Sequence, residues 1–212
     1  MRTLLQIDSS ARRDGSVTRM LTREFAAAWG AGAGPTRTIV RDLHADPVHP
    51  IGHVALHRPA PLRDLDAADA DTDTSASVTQ ASTQEVLIAE LHAADVVVVG
   101  APMYNCSMPA TLKAWLELVH IPGQTAPGAT PTQPFRGKRA VLVTARGVLR
   151  DPAEESYVLG PLRRVLGVGF GMEVETVSVD RTLAAAKPEL GIAEAAAELA
   201  QARERLRALA TR

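Results

Sequence analysis

The stretch Ala94–Cys106, ADVVVVGAPMYNC, decides how this sequence folds. Four consecutive valines, Val96 to Val99, follow Asp95 with no polar alternation. An unbroken β-branched run of this kind reads as a strand buried on both faces, as in a parallel sheet with helices above and below. Gly100, Ala101 and Pro102 end the run, because a proline cannot continue a central strand. Met103 to Cys106 are therefore expected in a loop at the carboxyl end of that strand, the edge where open α/β sheets bind ligands.

Outward from this strand the pattern repeats. Residues 3–8 read as a first strand. A polar loop, Ser9 to Gly15, leads to a helix capped by Ser16 or Thr18 and running to about Trp29, with Met20, Leu21, Phe25 and Ala28 on one face. Gly30 to Pro35 ends it, and 36–41 is a second strand. Residues 44–80 are irregular, broken by Pro47, Pro50, Pro59 and Pro61 and made acidic by Asp64, Asp66, Asp69, Asp71 and Asp73. So long an insertion predicts a lid or binding loop. A helix is expected over 80–93, with Val86, Leu87, Glu90 and Leu91 near the sheet. Another is expected over 109–119, on Leu112, Trp115, Leu116 and Val119. A second loop at 121–137 lies beside the expected active site. A strand at 139–144, a helix at 153–166, a strand at 173–179 and a long helix at 188–209 complete the chain. The alternation predicts one domain over 1–212: a doubly wound, five-stranded parallel sheet in order 2-1-3-4-5 with helices on both faces.

Composition removes several classes of function. The 212 residues carry a net charge of −1 and only 3% aromatic residues. There is no basic field and no stacking platform for nucleic acid. No apolar run approaches the ~20 residues that span a bilayer, and the amino terminus enters a strand directly, which predicts no signal segment. A single cysteine, Cys106, excludes a disulfide framework and a cysteine zinc site, and suits a reducing cytoplasmic setting. His49, His53 and His57 are four apart, but no carboxylate or cysteine nearby completes a ligand set, so no metal is expected. Asp69-x-Asp71-x-Asp73 lacks the glycine and terminal glutamate of a calcium loop. Gly167 to Gly171 mimics a dinucleotide fingerprint but follows a helix, so it reads as a helix stop.

Three loops meet at the carboxyl edge of strands 1, 3 and 4. The first carries Ser9, Ser10, Ser16 and Thr18 ahead of a helix. Hydroxyls and free N–H groups there make an anion site, above all for phosphate. No G-x-x-x-x-G-K-[ST] occurs, which argues against a nucleotide-hydrolysing loop. The second, Pro102 to Cys106, offers backbone groups, the Asn105 amide and the Tyr104 ring. The third offers Arg146, either to a cofactor carbonyl or to a strand end, and the Gly147 backbone. Phosphate at one end and amide-like groups at the other suit a flat heterocyclic mononucleotide. Cys106 reads as a small apolar space-filler or, less simply, as a reactive thiol. His120 reads as a complement to its helix dipole or as a substrate contact.

The pieces Ile7-Asp8-Ser9-Ser10, Ser16-x-Thr18, Arg41-Asp42-Leu43, Ala101-Pro102-Met103-Tyr104-Asn105, Leu112-Lys113-x-Trp115-Leu116-Glu117-Leu118-Val119, Gly137-Lys138 and Thr144-x-Arg146-Gly147 occur in that order. Together they resemble the FMN-dependent NADH-azoreductases, also described as NADH:quinone reductases, of the flavodoxin-like superfamily. The resemblance implies a homodimer with FMN at the interface, and ping-pong transfer of a hydride from NADH (or NADPH) to a quinone or azo compound. It implies that Ser10, Ser16, Val17 and Thr18 hold the FMN phosphate. Pro102, Met103, Tyr104, Asn105 and Cys106 would run along the ring, and Ala145, Arg146, Gly147 and Val148 would meet its pyrimidine end. The flavin carries the redox chemistry, and no side chain is assigned a catalytic role. Three pieces depart from the family pattern: Cys106 stands for a phenylalanine, Ala145-Arg146-Gly147-Val148 for S-R-G-G, and Thr125-Ala126-Pro127-Gly128 for an aromatic T-F-x-Y-like segment. These departures fit a reductase specialised for one diazo, nitro or quinone intermediate. An electron carrier without enzymatic activity is the reading from another class.

Overall fold

The computed structural model describes residues 1–32, 34–52, 54–62, 74–128, 133–150 and 157–212. Its sheet has five parallel strands in the order β2-β1-β3-β4-β5: β1 (Arg2–Asp8), β2 (Thr36–Asp42), β3 (Val96–Pro102), β4 (Arg139–Ala145) and β5 (Glu173–Val179). The expected order is therefore observed. The chain leaves β1 outward to β2 and returns on the far side as β3. That reversal opens a crevice at the carboxyl ends of β1 and β3. Register aligns Asp8 with Gly100, and Pro102 with Ala145, so the loops that follow start at one edge.

The four valines serve two cores. Val97 and Val99 pack on one face with Leu87, Leu91, Leu112, Trp115 and Phe135. Val96 and Val98 pack on the other with Leu21, Phe25, Trp29, Leu206 and Leu209. This is why the run lacks alternation: both faces are covered. Each such side chain contributes at most about 1.5–3 kcal/mol of burial. The first face is covered by α2 (Thr74–Ala93) and α3 (Ala110–Val119), the second by α1 (Val17–Gly30) and α5 (Ile192–Ala210). Leu21, Phe25 and Trp29 fall four apart on α1, and all are buried.

Several expectations change. β3 continues through Gly100 and Ala101 to Pro102, its last paired residue; the proline ends the ladder but does not fall outside it. Helix α2 starts at Thr74, six residues before the expected start at 80. Its inner face is Ala81, Gln84, Leu87, Ile88 and Leu91, while Val86 is exposed. Gln84 is buried because its amide donates to the Leu56 carbonyl at 2.9 Å. The helix expected over 153–166 is, in its described part, a short α-helix α4 (Leu159–Leu162) that widens into a π-helix, Arg163–Gly169. Gly167 and Gly169 lie in its last turn, and Gly171, with φ +81°, follows as the helix stop. The last helix is split: Pro188–Leu190 is one 3-10 turn, and Gly191, at φ +85°, precedes α5.

The segment 44–62 is anchored, with Val48, Ala55 and Leu56 buried and two 3-10 turns at Val54–His57 and Ala60–Leu62. Asp64, Asp66, Asp69, Asp71 and Asp73 lie outside the described residues, as do His53, 129–132 of the second loop and 151–156 of the helix. No group of three or more metal-ligating side chains gathers among the described residues. No described helix is long and apolar enough to cross a membrane.

Candidate active site

Strand β1 ends in Asp8, and the chain turns immediately under β3. Ser9 donates its hydroxyl to the Gly100 carbonyl at 2.7 Å. Gly100 must be small here. A Cβ would stand 3.1 Å from Asp8 Oδ1 and 3.1 Å from Thr22 Cγ2. Ser16, of the two candidate caps, is the one that caps α1, accepting from the Arg19 N–H at 3.4 Å, and its hydroxyl lies 3.2 Å from that of Thr18. Ser10, Ser16 and Thr18 are all buried, so three hydroxyls crowd the amino end of one helix.

Beneath them lies a charge cluster of buried Arg19 and Asp8 with half-buried Asp42. Arg19 makes a two-pronged pair with Asp42, with both bonds at 2.7 Å. Its guanidinium holds the Asp42 carboxyl down to about 2. Asp8 accepts from Thr22 at 2.7 Å and Gln6 at 2.8 Å, yet burial outweighs these bonds and raises its pKa.

After β3 the chain makes a tight hairpin. Tyr104 N–H donates to the Ser107 carbonyl at 2.8 Å, and Ser107 N–H returns to Tyr104 at 2.9 Å. The two central residues, Asn105 and Cys106, have φ of +47° and +67°. Both signs are those of a type I′ turn. Asn105 and Cys106 are exposed, so in this chain the thiol fills no core space. The Tyr104 hydroxyl reaches back across the crevice, 3.1 Å from Ser10 Oγ, and accepts from the Ala11 N–H at 3.0 Å. This side chain thus ties the third strand's loop to the first's.

The third loop follows β4. Arg146 is buried and pairs through Nε with Asp180 at 3.3 Å. Its backbone N–H donates to the Val179 carbonyl at 3.0 Å, and its carbonyl accepts from Thr182 at 3.1 Å. Leu183 lies so close over Gly147 that a Cβ there would meet Leu183 Cδ1 at 2.6 Å.

These loops enclose one cavity of about 300 Å³. Its walls include Ser10, Ser16, Val17, Thr18, Pro102, Met103, Tyr104, Ala145, Arg146 and Gly147 from the residues expected in sequence. Asn105, Cys106 and Val148 are not part of its wall; Val148 is half-exposed just beyond it. Four further residues, Arg12, Gly15, Thr182 and Leu183, complete the lining. Arg12 and Gly15 belong to a loop already suspected. Thr182 and Leu183 follow β5, and the 2-1-3-4-5 order alone predicts that this end adjoins β4. The described parts of 44–62 and 121–137 do not line this cavity. Thr125 and Ala126 are buried, and His57, His120 and Pro122 instead border a separate hollow of about 200 Å³. His120 closes α3, lies 6.3 Å from the Phe170 ring and has its pKa lowered by burial.

Fold and cavity define a doubly wound α/β protein with a hydroxyl-rich cleft, Arg12 in its wall, at its switch point. The family model described as flavodoxin-like fold matches residues 2–206, and the chain belongs to that family. An FMN-dependent NADH:quinone oxidoreductase of Kineococcus radiotolerans is 39% identical over 216 residues, covering 97% of this chain and 99% of the relative. Another, from Streptomyces avermitilis, is 35% identical over 210 residues, covering 96% of this chain and 92% of its own. An azoreductase structure from Bacillus anthracis superposes with a TM-score of 0.77 at 20% identity, covering 99% of both chains.

Proposed function

We propose that the protein is an FMN-dependent NADH:quinone oxidoreductase that also reduces azo compounds. Curated relatives of that name match nearly its whole length, and this supports the activity. The observation that carries the site is the single cavity shared by Ser16 and Thr18 at the head of α1 with Pro102–Tyr104 and Ala145–Gly147 at two strand ends.

The residues present fit FMN. Ser10, Ser16 and Thr18, with the first amides of α1, supply neutral donors for a phosphate. The Pro102–Tyr104 backbone and the Gly147 backbone flank the space for a ring, with Asn105 and Cys106 on the turn beside it. Bound FMN supplies hydride and electron transfer. The protein binds, orients and shields: Leu183 and Met103 are apolar walls, and Tyr104 joins the two ends of the cleft. NADH and the acceptor use this one site in turn, which gives ping-pong kinetics. Two copies pair across the open side of the cleft. Exposed Val148 and Leu149 follow Gly147 directly, which supports an apolar contact there. A cytoplasmic setting suits the exposed lone cysteine.

The departures from the family pattern at Cys106, Val148 and Thr125–Gly128 favour a narrower choice of acceptor than the family's. The test is spectroscopic. The purified protein is expected to be yellow, to bleach with NADH under anaerobic conditions and to regain colour with a quinone. A colourless protein that takes up no FMN rejects the assignment. Equal, fast turnover of a quinone and an azo dye rejects the narrowed choice. A reduced protein that no small acceptor reoxidises is an electron carrier instead.

A further inference from the structure

Arg19 occupies an unfavourable place for a cation. It is the third residue of α1, at the positive end of the helix dipole, and only 3% exposed. Its pairing with Asp42 explains how the charge is tolerated but not what its other edge does. That edge grips one carbonyl: Nε and Nη2 both donate to Ser10 O, at 3.2 and 2.7 Å. Carbonyl and carboxylate are thus bridged by one rigid planar group, a task the single ammonium of a lysine does not reproduce.

The consequence follows from peptide geometry. In a trans peptide the C=O and the following N–H point in opposite directions. With the Ser10 carbonyl drawn down to Arg19, the Ala11 N–H is turned the other way, towards the cleft. There it meets an acceptor oxygen, the Tyr104 hydroxyl, at 3.0 Å. The next amide, Arg12 N–H, donates to Ser10 Oγ at 3.3 Å. Both amides therefore converge on the oxygens that border the anion subsite, while Arg19 itself is not in that cavity's wall and borders the adjoining hollow behind Gly15, Ser16 and Val17.

We propose that Arg19 is the positioning residue that makes the site selective for a phosphorylated flavin: it locks the Ser10–Ala11 peptide with its N–H turned towards the phosphate subsite. The inference rests on the flavin reading above. It assigns the preference for FMN over riboflavin partly to a residue that touches neither.

The test compares the apoprotein with Arg19→Lys, with the double variant Arg19→Met/Asp42→Asn, which removes the Asp42 carboxylate together with its cation and leaves buried Asp8 held by Thr22 and Gln6, and with Ala11→Pro, which deletes the N–H and leaves the charge cluster intact. Each is titrated with FMN and with riboflavin by flavin fluorescence, after cooperative unfolding has been verified. FMN affinity is expected to fall tenfold or more in all three, with riboflavin affinity within twofold of wild type. Equal losses for the two flavins would make Arg19 a structural staple only and overturn the proposal. Unchanged FMN affinity, or full retention in Arg19→Lys, would overturn it as well. Inorganic phosphate provides an arm free of flavin. Wild type is expected to gain thermal stability from it and the variants are not. If the wild type bound no flavin, the functional reading would fall, and this phosphate difference, present or absent, would still decide the role of Arg19.

Discussion

Gly100 and Cys106 sit six residues apart and carry opposite constraints. Gly100 has no room for a side chain between Asp8 and Thr22. Gly100→Ala is expected to cost about 1–3 kcal/mol by overpacking, read as a lower midpoint in urea with an unchanged slope. Cys106 has room, being exposed, but its φ of +67° disfavours any side chain. Asn-Gly is the preferred pair for this turn, so Cys106→Gly is expected to stabilise by about 0.5–1 kcal/mol. A melting temperature that falls in that variant would mean the turn is not held as described.

At the scale of the element, α1 both builds the core and opens the site. Ser16 caps it through a long 3.4 Å bond. Ser16→Ala is expected to lose about 0.5–1 kcal/mol, the low end for a cap, and to weaken FMN binding as well. Calorimetry and flavin titration on the same sample check both; a stability loss with unchanged FMN affinity would remove Ser16 from the subsite. Helix α2 closes differently. Lys138 donates to the carbonyls of Leu91 and Ala94, at 3.2 and 2.7 Å, satisfying groups at the helix end that have no partner within the helix.

For the whole molecule, pH is the most direct probe of how the parts are tied. His92, exposed at the end of α2 with its ring 4.8 Å from that of Phe135, and half-buried His120, near Phe170, have their pKa values lowered, chiefly by desolvation. The unfolded chain therefore takes up these protons first. Stability is expected to fall as pH drops below about 7, through the ordinary histidine value near 6.5. Replacing both histidines by glutamine is expected to flatten that slope. Asp42 acts lower down. Its folded value of about 2 lies beneath the ordinary carboxylate range, so its contribution is present above pH 4 and is lost between about 4 and 2. Asp8, raised by burial, works against this, because its neutral form favours the fold. Urea midpoints measured from pH 8 to 3 would show both limbs; a flat profile between 7 and 5 would contradict the histidine assignment.

Periodicity was enough to read the five strands, their order and the helices α1, α3 and α5, because burial on two faces leaves an unbroken run and burial on one face leaves a stripe. Converging strand ends and the family resemblance together named ten residues of the cavity wall, Val17 and Ala145 through the resemblance alone. Periodicity did not reveal the early start of α2, whose first turns are threonine and serine, nor the exposure of Cys106, which depends on a turn of two residues with positive φ. Nothing in the local sequence of Thr182 and Leu183 marks them; the expected place of β5 beside β4 was the one signal that brings them to the cleft. The pairings of Arg19 with Ser10 and Asp42, of Arg146 with Asp180, and of Tyr104 with the serine loop were decided by tertiary structure alone. Such contacts join residues far apart in the chain, and a polar side chain carries no periodic signature of the partner that folding will bring to it.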